Sequence, residues 1–323
     1  MLILRHLARM FSAAMMAFGM GVVCAQNYPN QTIRIIAGSA GGAIDMSARS
    51  IAQGLTGNLG QQVIVENRGS AGGAIAVQTL IRARPDGYTV LLYGSNIWLW
   101  QFMADNVPWD PIRDLSPITL AITTPHVVIV HPLLPVKTVA ELIALAKTRP
   151  GELNDAGIGS GNATHMAAEL FKLMAGVNIV RVPYKTSAME MADLSSGQVQ
   201  LAFSTTGAAM PYVKSGRLRA LAVTSAQPSA LVPGVPTVAA SGLPGFEAAS
   251  IYGMFAPAQT PATIISRLNQ EIVRVLNEAN LKERLFNVGL EGVGSSPEQL
   301  TAAIKSDMAK WGKVIKDAGI RAN

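Results

Sequence analysis

The chain has 323 residues, 49% of them hydrophobic and 14% charged. That balance excludes a disordered segment, and the length exceeds what one typical core supports, so two lobes are expected. A formal charge of +6, scattered along the chain, falls short of a nucleic-acid footprint and leaves room only for attraction to small anions.

Met1 to Ala25 opens with Arg5, His6 and Arg9, continues through the apolar run Met10 to Val23, and ends on Val23-Cys24-Ala25 before Gln26. This is the pattern of a secretory signal peptide, since the apolar core falls short of the roughly 20 residues that a membrane span needs. Val23 stands where a lipoprotein signal wants a small residue, so Cys24 is not expected to carry lipid. Cleavage would remove the single cysteine together with Arg5 and Arg9. The mature chain would keep 24 basic against 20 acidic residues and have no disulfide or thiol chemistry.

Ile33, Ile35 and Ile36 suit a buried strand, while Ile44, Ala48, Ile51, Ala52 and Leu55 recur at helical spacing. Between them lie Ala37, Gly38, Ser39, Ala40, Gly41 and Gly42, with Asp45 in the first helical turn. A loop of small residues opening a helix brings backbone N–H groups close to a bound anion, and the helix dipole favours negative charge there. The same residues also suit an ordinary tight turn, because neither a dinucleotide nor a Walker pattern is present.

Gln62 to Glu66 reads as a second strand, Arg68 to Gly73 as another small-residue loop, and Ala76, Leu80 and Ile81 as a helix. Tyr88 to Tyr93 is a strand ending in Gly94-Ser95-Asn96. Strands alternating with helices predict a largely parallel sheet with ligand sites beyond the strands' carboxyl ends. Pro108 to Pro117 is expected to cross to a second lobe, ahead of two strands, Ile118 to Ile122 and Val127 to Val130. Thr138 to Glu141 reads as a capping box and Pro150-Gly151 as that helix's stop. A third small-residue loop, Gly159, Ser160, Gly161, Asn162, Ala163, Thr164 and His165, then opens a helix and repeats the logic of the first.

Ile179 to Val182 is strand-like, and Pro183-Tyr184-Lys185-Thr186-Ser187 leads into a helix through Leu194. Val199 to Phe203 is the next strand, followed by Ser204 and Thr205. Leu218 to Thr224 is expected to return the chain to the first lobe, and the remainder reads as mainly helical, with helix starts at Thr260-Pro261 and Ser296-Pro297.

Catalytic chemistry is poorly supported. No serine sits in Gly-x-Ser-x-Gly, and Ser160 with His165 nearby reads better as a cap or hydrogen-bond donor. His126 and His131 would face opposite sides of a strand, and no His-Glu-x-x-His occurs, so neither a metal nor a cofactor is expected. Lys185 suits a solvated charge and Tyr184 a cleft wall or core, Asp45 either a substrate ammonium or a helix cap, and Trp98 and Trp100 a core.

A set of motifs spanning the mature chain resembles one family. They are Tyr28-Pro29, Gly41-Gly42 with Asp45, Val65-Glu66-Asn67-Arg68, Ala71-Gly72-Gly73, Pro85-Asp86-Gly87-Tyr88, Pro183-Tyr184-Lys185, Gly216 through Thr224, and Phe255-Ala256-Pro257. The sequence is similar to the Bug (TctC-like) extracytoplasmic solute receptors of tripartite tricarboxylate transporters. The resemblance implies an α/β, two-lobed periplasmic binding fold of the type II, Venus-flytrap kind with two interlobe crossings. It implies a monomer that captures a small organic anion and presents it to membrane subunits of a transporter.

Lobe one is expected over 26–124 and 226–323, and lobe two over 125–225. The family's carboxylate loops map onto Ala37 to Gly42 and Gly159 to His165, and the candidate site also takes in Asp45, Gly94, Ser95, Tyr184, Ser204 and Thr205. Ala37-Gly38-Ser39 stand where relatives commonly carry Pro-Phe-Pro. Thr186 replaces a frequent glycine and Ser204 a frequent aspartate, while Ser160, Asn162 and Ala163 depart from Asn, Thr and Thr. A sensor module for a membrane kinase and a secreted hydrolase are the rival readings.

Overall fold

Four of five residues in strand β1 (Ile33–Ala37) are fully buried, and Arg34 is the exposed exception. Strand β1 lies parallel between β2 (Val63–Asn67) and β3 (Thr89–Gly94). The connections run through helices α1 (Ala43–Leu59) and α2 (Ala74–Ile81), as parallel pairing requires. The computed structural model describes residues 28–38, 40, 43–69, 73–158 and 162–321, so the expected signal segment lies outside the described residues. Helix α1 turns Ala48, Ile51, Ala52 and Leu55 into the core. Gly54 lets another helix approach it closely, since a Cβ there would stand 2.5 Å from Val275 Cγ1.

A short helix, α3 (Asn96–Leu99), follows β3 and places Trp98 fully in the core. Next comes β4 (Leu115–Val130), a single strand of 16 residues where the sequence suggests two. Its first part, through Pro125, pairs with a strand that the sequence does not announce, β9 (Ala249–Pro257). From His126 onward β4 pairs instead with β7 (Leu201–Thr205) and β8 (Arg219–Val223). The chain therefore leaves the first sheet inside a strand, beyond the Pro108 to Pro117 segment where the crossing is expected. Register slips near Pro117 and Leu120 bend β4, and Pro125, which has no N–H to donate, stands at the change of partners.

Strand β9 sits between β3 and β4, antiparallel to both, at the centre of the first sheet. Its run from Gly253 to Pro257 is buried at every position, so there is no alternation to read from sequence. The second sheet continues from β4 through β7 to β5 (Asn154–Ile158) and β6 (Val180–Tyr184), the last three mutually parallel. Its helices are α4 (Val139–Thr148), α5 (Ala163–Ala175), α6 (Ser187–Ser196) and α7 (Thr206–Lys214). Pro211 inside α7 hides that helix from sequence reading. Strand β8 stays in the second sheet rather than returning the chain to the first. The return runs from Thr224, whose carbonyl accepts from Ala248 N at 2.8 Å, into β9.

The C-terminal helices are α8 (Ala262–Leu276), α9 (Ala279–Asn287) and α10 (Pro297–Asp317), with the two-residue strand β10 (Glu291–Gly292) on the outer side of β4. Ser296 forms a complete capping box with Gln299. Thr138 forms only half of one, because the Glu141 carboxylate accepts from Lys137 N rather than from Thr138 N. Asp307 of α10 is buried and accepts two indole N–H groups, from Trp98 at 2.9 Å and from Trp311 at 2.7 Å. Among the described residues no helix is long and apolar enough to cross a membrane.

Candidate functional site

Parallel strands β5 and β7 end side by side, and the residues just beyond them begin helices α5 and α7. Asn162 caps α5: its side-chain oxygen accepts from His165 N at 2.9 Å and from Thr164 Oγ1 at 3.0 Å. Its amide nitrogen donates to Ile158 O, so one side chain pins both ends of the loop between β5 and α5. A cavity of about 230 Å³ opens there. It is lined by Ile158 and Asn162 to Thr164, by Ser187 and Glu190 of α6, and by Phe203, Ser204 and Thr205 of β7. His126 of β4 with Ser250 and Tyr252 of β9 completes the wall from the junction of the two sheets. The volume falls below the roughly 300–1,000 Å³ of drug-sized sites, so it suits a small solute.

Three ionisable side chains line this cavity, Glu190, His126 and Tyr252; the first two are each 1% exposed, and burial raises the Tyr252 phenol, which stays neutral. His126 Nε2 shares a hydrogen bond of 3.1 Å with Ser250 Oγ, while Nδ1 is buried without a hydrogen-bond partner. Burial lowers its pKa to about 4, so the ring is neutral at physiological pH. Glu190 is raised to about 8 by burial first and by the negative charge of Asp155 second, against the opposing pull of Arg181. Asp155 is itself raised to about 7 by burial, although Lys172 and Arg181 draw it down.

The signs of these shifts give a testable pH dependence. Folded Glu190 keeps its proton up to about 8, whereas the unfolded chain releases it near 4.5, so stability is lost as pH rises through that window. His126 acts at the acid end: the unfolded chain gains a proton near 6.5 that the folded ring refuses until about 4, so stability is lost as pH falls between those values. Glu190→Gln cannot ionise and keeps the shape. Its melting midpoint should rise relative to that of the unaltered protein as pH climbs from about 4.5 to about 8. Parallel curves would show that this carboxyl ionises freely in the fold.

The structure gathers five of the sequence candidates, Asn162, Ala163, Thr164, Ser204 and Thr205, around one cavity. Others engage elsewhere. His165 Nε2 turns to Glu169 Oε1 at 3.6 Å, and Tyr184 donates to Asp193 Oδ2 at 2.8 Å. Asp45 pairs with Arg49 and accepts from Asn67 Nδ2 at 2.8 Å, which also donates to Gly38 O at 2.9 Å, so the strut under the first loop is Asn67. Ala37 is buried in β1 and Ala40 is exposed. Gly94 packs against the Tyr252 ring, since a Cβ there would stand 2.8 Å from Tyr252 Cε1. Tyr252 thus separates Gly94 from the cavity. The carbonyl of Ser95 accepts from Trp98 N and Leu99 N. Ser39, Gly41, Gly42, Gly159, Ser160 and Gly161 lie outside the described residues. Sequence reasoning missed His126, Ser250, Tyr252 and Glu190 as lining residues. Among the described residues no group of three potential ligands comes together to hold a metal ion.

A pair of hydrogen bonds also ties the two sheets together. The carbonyl of Gly289 accepts from Thr124 Oγ1 at 2.8 Å and from Thr206 Oγ1 at 2.9 Å, linking the α9 turn to β4 and to the start of α7.

A curled α/β sheet divided within one strand, with a small cavity at the division, defines a two-lobed periplasmic binding protein. The family model of the tripartite tricarboxylate transporter family receptor, TctC, matches residues 47–320. The BugT protein of Bordetella pertussis is 33% identical over 302 residues, covering 93% of this chain and 93% of its own. An R. palustris protein solved with adipate is 34% identical, with a TM-score of 0.77 over 91% of this chain and 99% of its own. MatC from Rhodopseudomonas palustris, solved with bound malate, is 25% identical, with a TM-score of 0.73 over 89% of this chain and 100% of its own. The chain belongs to the TctC (Bug) family, whose members are solute-binding receptors rather than enzymes.

Proposed function

We propose that this chain captures a small organic carboxylate between two lobes and presents it to the membrane subunits of a tripartite carrier. Residues 1–25 serve as an export signal, lobe one comprises 26–124 and 226–323, and lobe two comprises 125–225. The observation that carries the reading is the position of the cavity. The capped start of α5 and the end of β7 line it from one sheet, and Ser250 and Tyr252 of β9 line it from the other. A carboxylate beside the α5 N-terminus meets first-turn backbone N–H groups that have no intrahelical acceptor and the positive end of the helix dipole, so no arginine is needed. Ala37 to Gly42 provides the facing loop from lobe one. The relatives solved with adipate and with malate support the carboxylate class.

Calorimetric titration of the mature protein with a panel of carboxylates tests the reading. A dissociation constant near micromolar is expected, roughly 8 kcal/mol, tight enough for capture and weak enough for release. Solution scattering with the same ligand should show a smaller radius of gyration, because closure rotates the two sheets about the partner change in β4. Binding confined to uncharged solutes would overturn the carboxylate assignment, and an unchanged radius at saturation would overturn the clamp.

A further inference from the structure

The charges around the cavity do not match a plain dicarboxylate. No lysine or arginine lines it among the described residues. Its ionisable side chains are a neutral imidazole, the neutral phenol of Tyr252 and the carboxyl group of Glu190. Glu190 sits in the first turn of α6, and its Oε2 is buried with no hydrogen-bond partner. The charged groups packed around it come from other elements: Asp155 of β5, which repels a negative charge on Glu190, and Arg181 of β6, which favours one. Behind Asp155 stand Lys172 and Glu169 of α5, 2.8 Å apart and paired with each other. His126 lines the cavity from β4 and supplies no charge.

A second carboxylate on the solute could accept the O–H of protonated Glu190, but no cation among the described lining residues would balance its charge. Burying a charge without a partner is costly, whereas a cation brought by the solute would give Glu190 the partner it lacks.

We propose that Glu190 sets the specificity of this cavity by selecting a carboxylate solute that also bears an amino group, its carboxylate at the start of α5 and its ammonium on Glu190. The proposal rests on the carboxylate-receptor reading above and narrows its solute class. The protons balance simply. Free Glu190 holds its proton at neutral pH, being raised to about 8, and the arriving ammonium makes the ionised form the stable one, so the proton leaves to solvent. No bond in the solute is made or broken.

Matched pairs that differ only in the amino group give the test: glutamate against glutarate, and aminoadipate against adipate. Each is titrated calorimetrically at neutral pH in phosphate and in Tris, whose different ionisation enthalpies report the protons released. The aminated member of at least one pair should bind roughly tenfold tighter or better, with net proton release. In Glu190→Gln that preference should shrink to less than about threefold and the release should vanish.

Equal or tighter binding of the plain acids, or an unchanged ratio in Glu190→Gln, overturns the proposal while leaving the receptor reading intact. Failure of every carboxylate to bind would overturn the receptor reading, and this proposal with it. The proton count on the unaltered protein decides the matter even if the variant does not fold.

Discussion

Gly289→Ala is expected to destabilise the protein by about 3 kcal/mol, while Gly234→Ala should cost only about 1 kcal/mol. Both glycines have φ of +79°, so both substitutions carry the strain of a left-handed residue. They differ in what surrounds them. No atom lies within 4 Å of a Cβ built on Gly234, whereas on Gly289 it would stand 2.6 Å from Thr206 Oγ1 and 2.7 Å from the backbone N of Gly207. The backbone cannot yield by bending a flexible side chain, so the carbonyl that accepts from Thr124 and Thr206 must shift and both hydrogen bonds weaken. Urea unfolding of the two variants measures the difference, and equal losses would show that the α9 turn has room to move. Because Thr206 follows the cavity-lining Thr205, Gly289→Ala should also weaken carboxylate binding, which Gly234→Ala should leave alone.

The second large effect lies far from the cavity. Asp307→Ala should cost about 4 kcal/mol, since it leaves two buried indole N–H groups without an acceptor at about 1–3 kcal/mol each. Asp307→Asn should cost about half as much, because the amide offers one oxygen and its nitrogen cannot accept. Burial pushes the Asp307 carboxyl up, and the bonds from Trp98 and Trp311 pull against that rise. Equilibrium unfolding followed by tryptophan fluorescence would report both the lost stability and the altered surroundings of the two rings. Equal costs for the two variants would mean that the amide oxygen preserves neither indole bond.

How far the sequence discloses this protein depends on the range of the interaction. Strand β1, helix α1 and the start of α5 rest on neighbours within a few residues, and their apolar spacing and small-residue loops identify them correctly, although the cap of α5 is Asn162 where the sequence suggests Ser160. Asn162, Ala163 and Thr164 follow from the same local logic. His126 and Ser250 escape notice because they meet across 124 residues of chain, on strands whose pairing no local pattern encodes. Glu190 escapes for another reason: an acidic residue in a first helical turn reads as a solvated dipole partner, and only the packing of α6 over β5 shows that it is buried. Strand β9 is hidden by being buried on both faces, and the unity of β4 by its internal proline.

The place of β9 also sets an order of events as the chain is made. The second sheet draws all its strands from residues between 126 and 223, so its pairing partners are close in time as well as in sequence. The first sheet cannot close until Ala249–Pro257 slides between β3 and β4. Until residue 257 emerges, two strand edges meant for β9 stand unpaired, open to whatever other chain they meet. A growing chain thus carries one sheet able to complete itself and another held open to nearly the last, which makes the interval before β9 arrives its most vulnerable to aggregation.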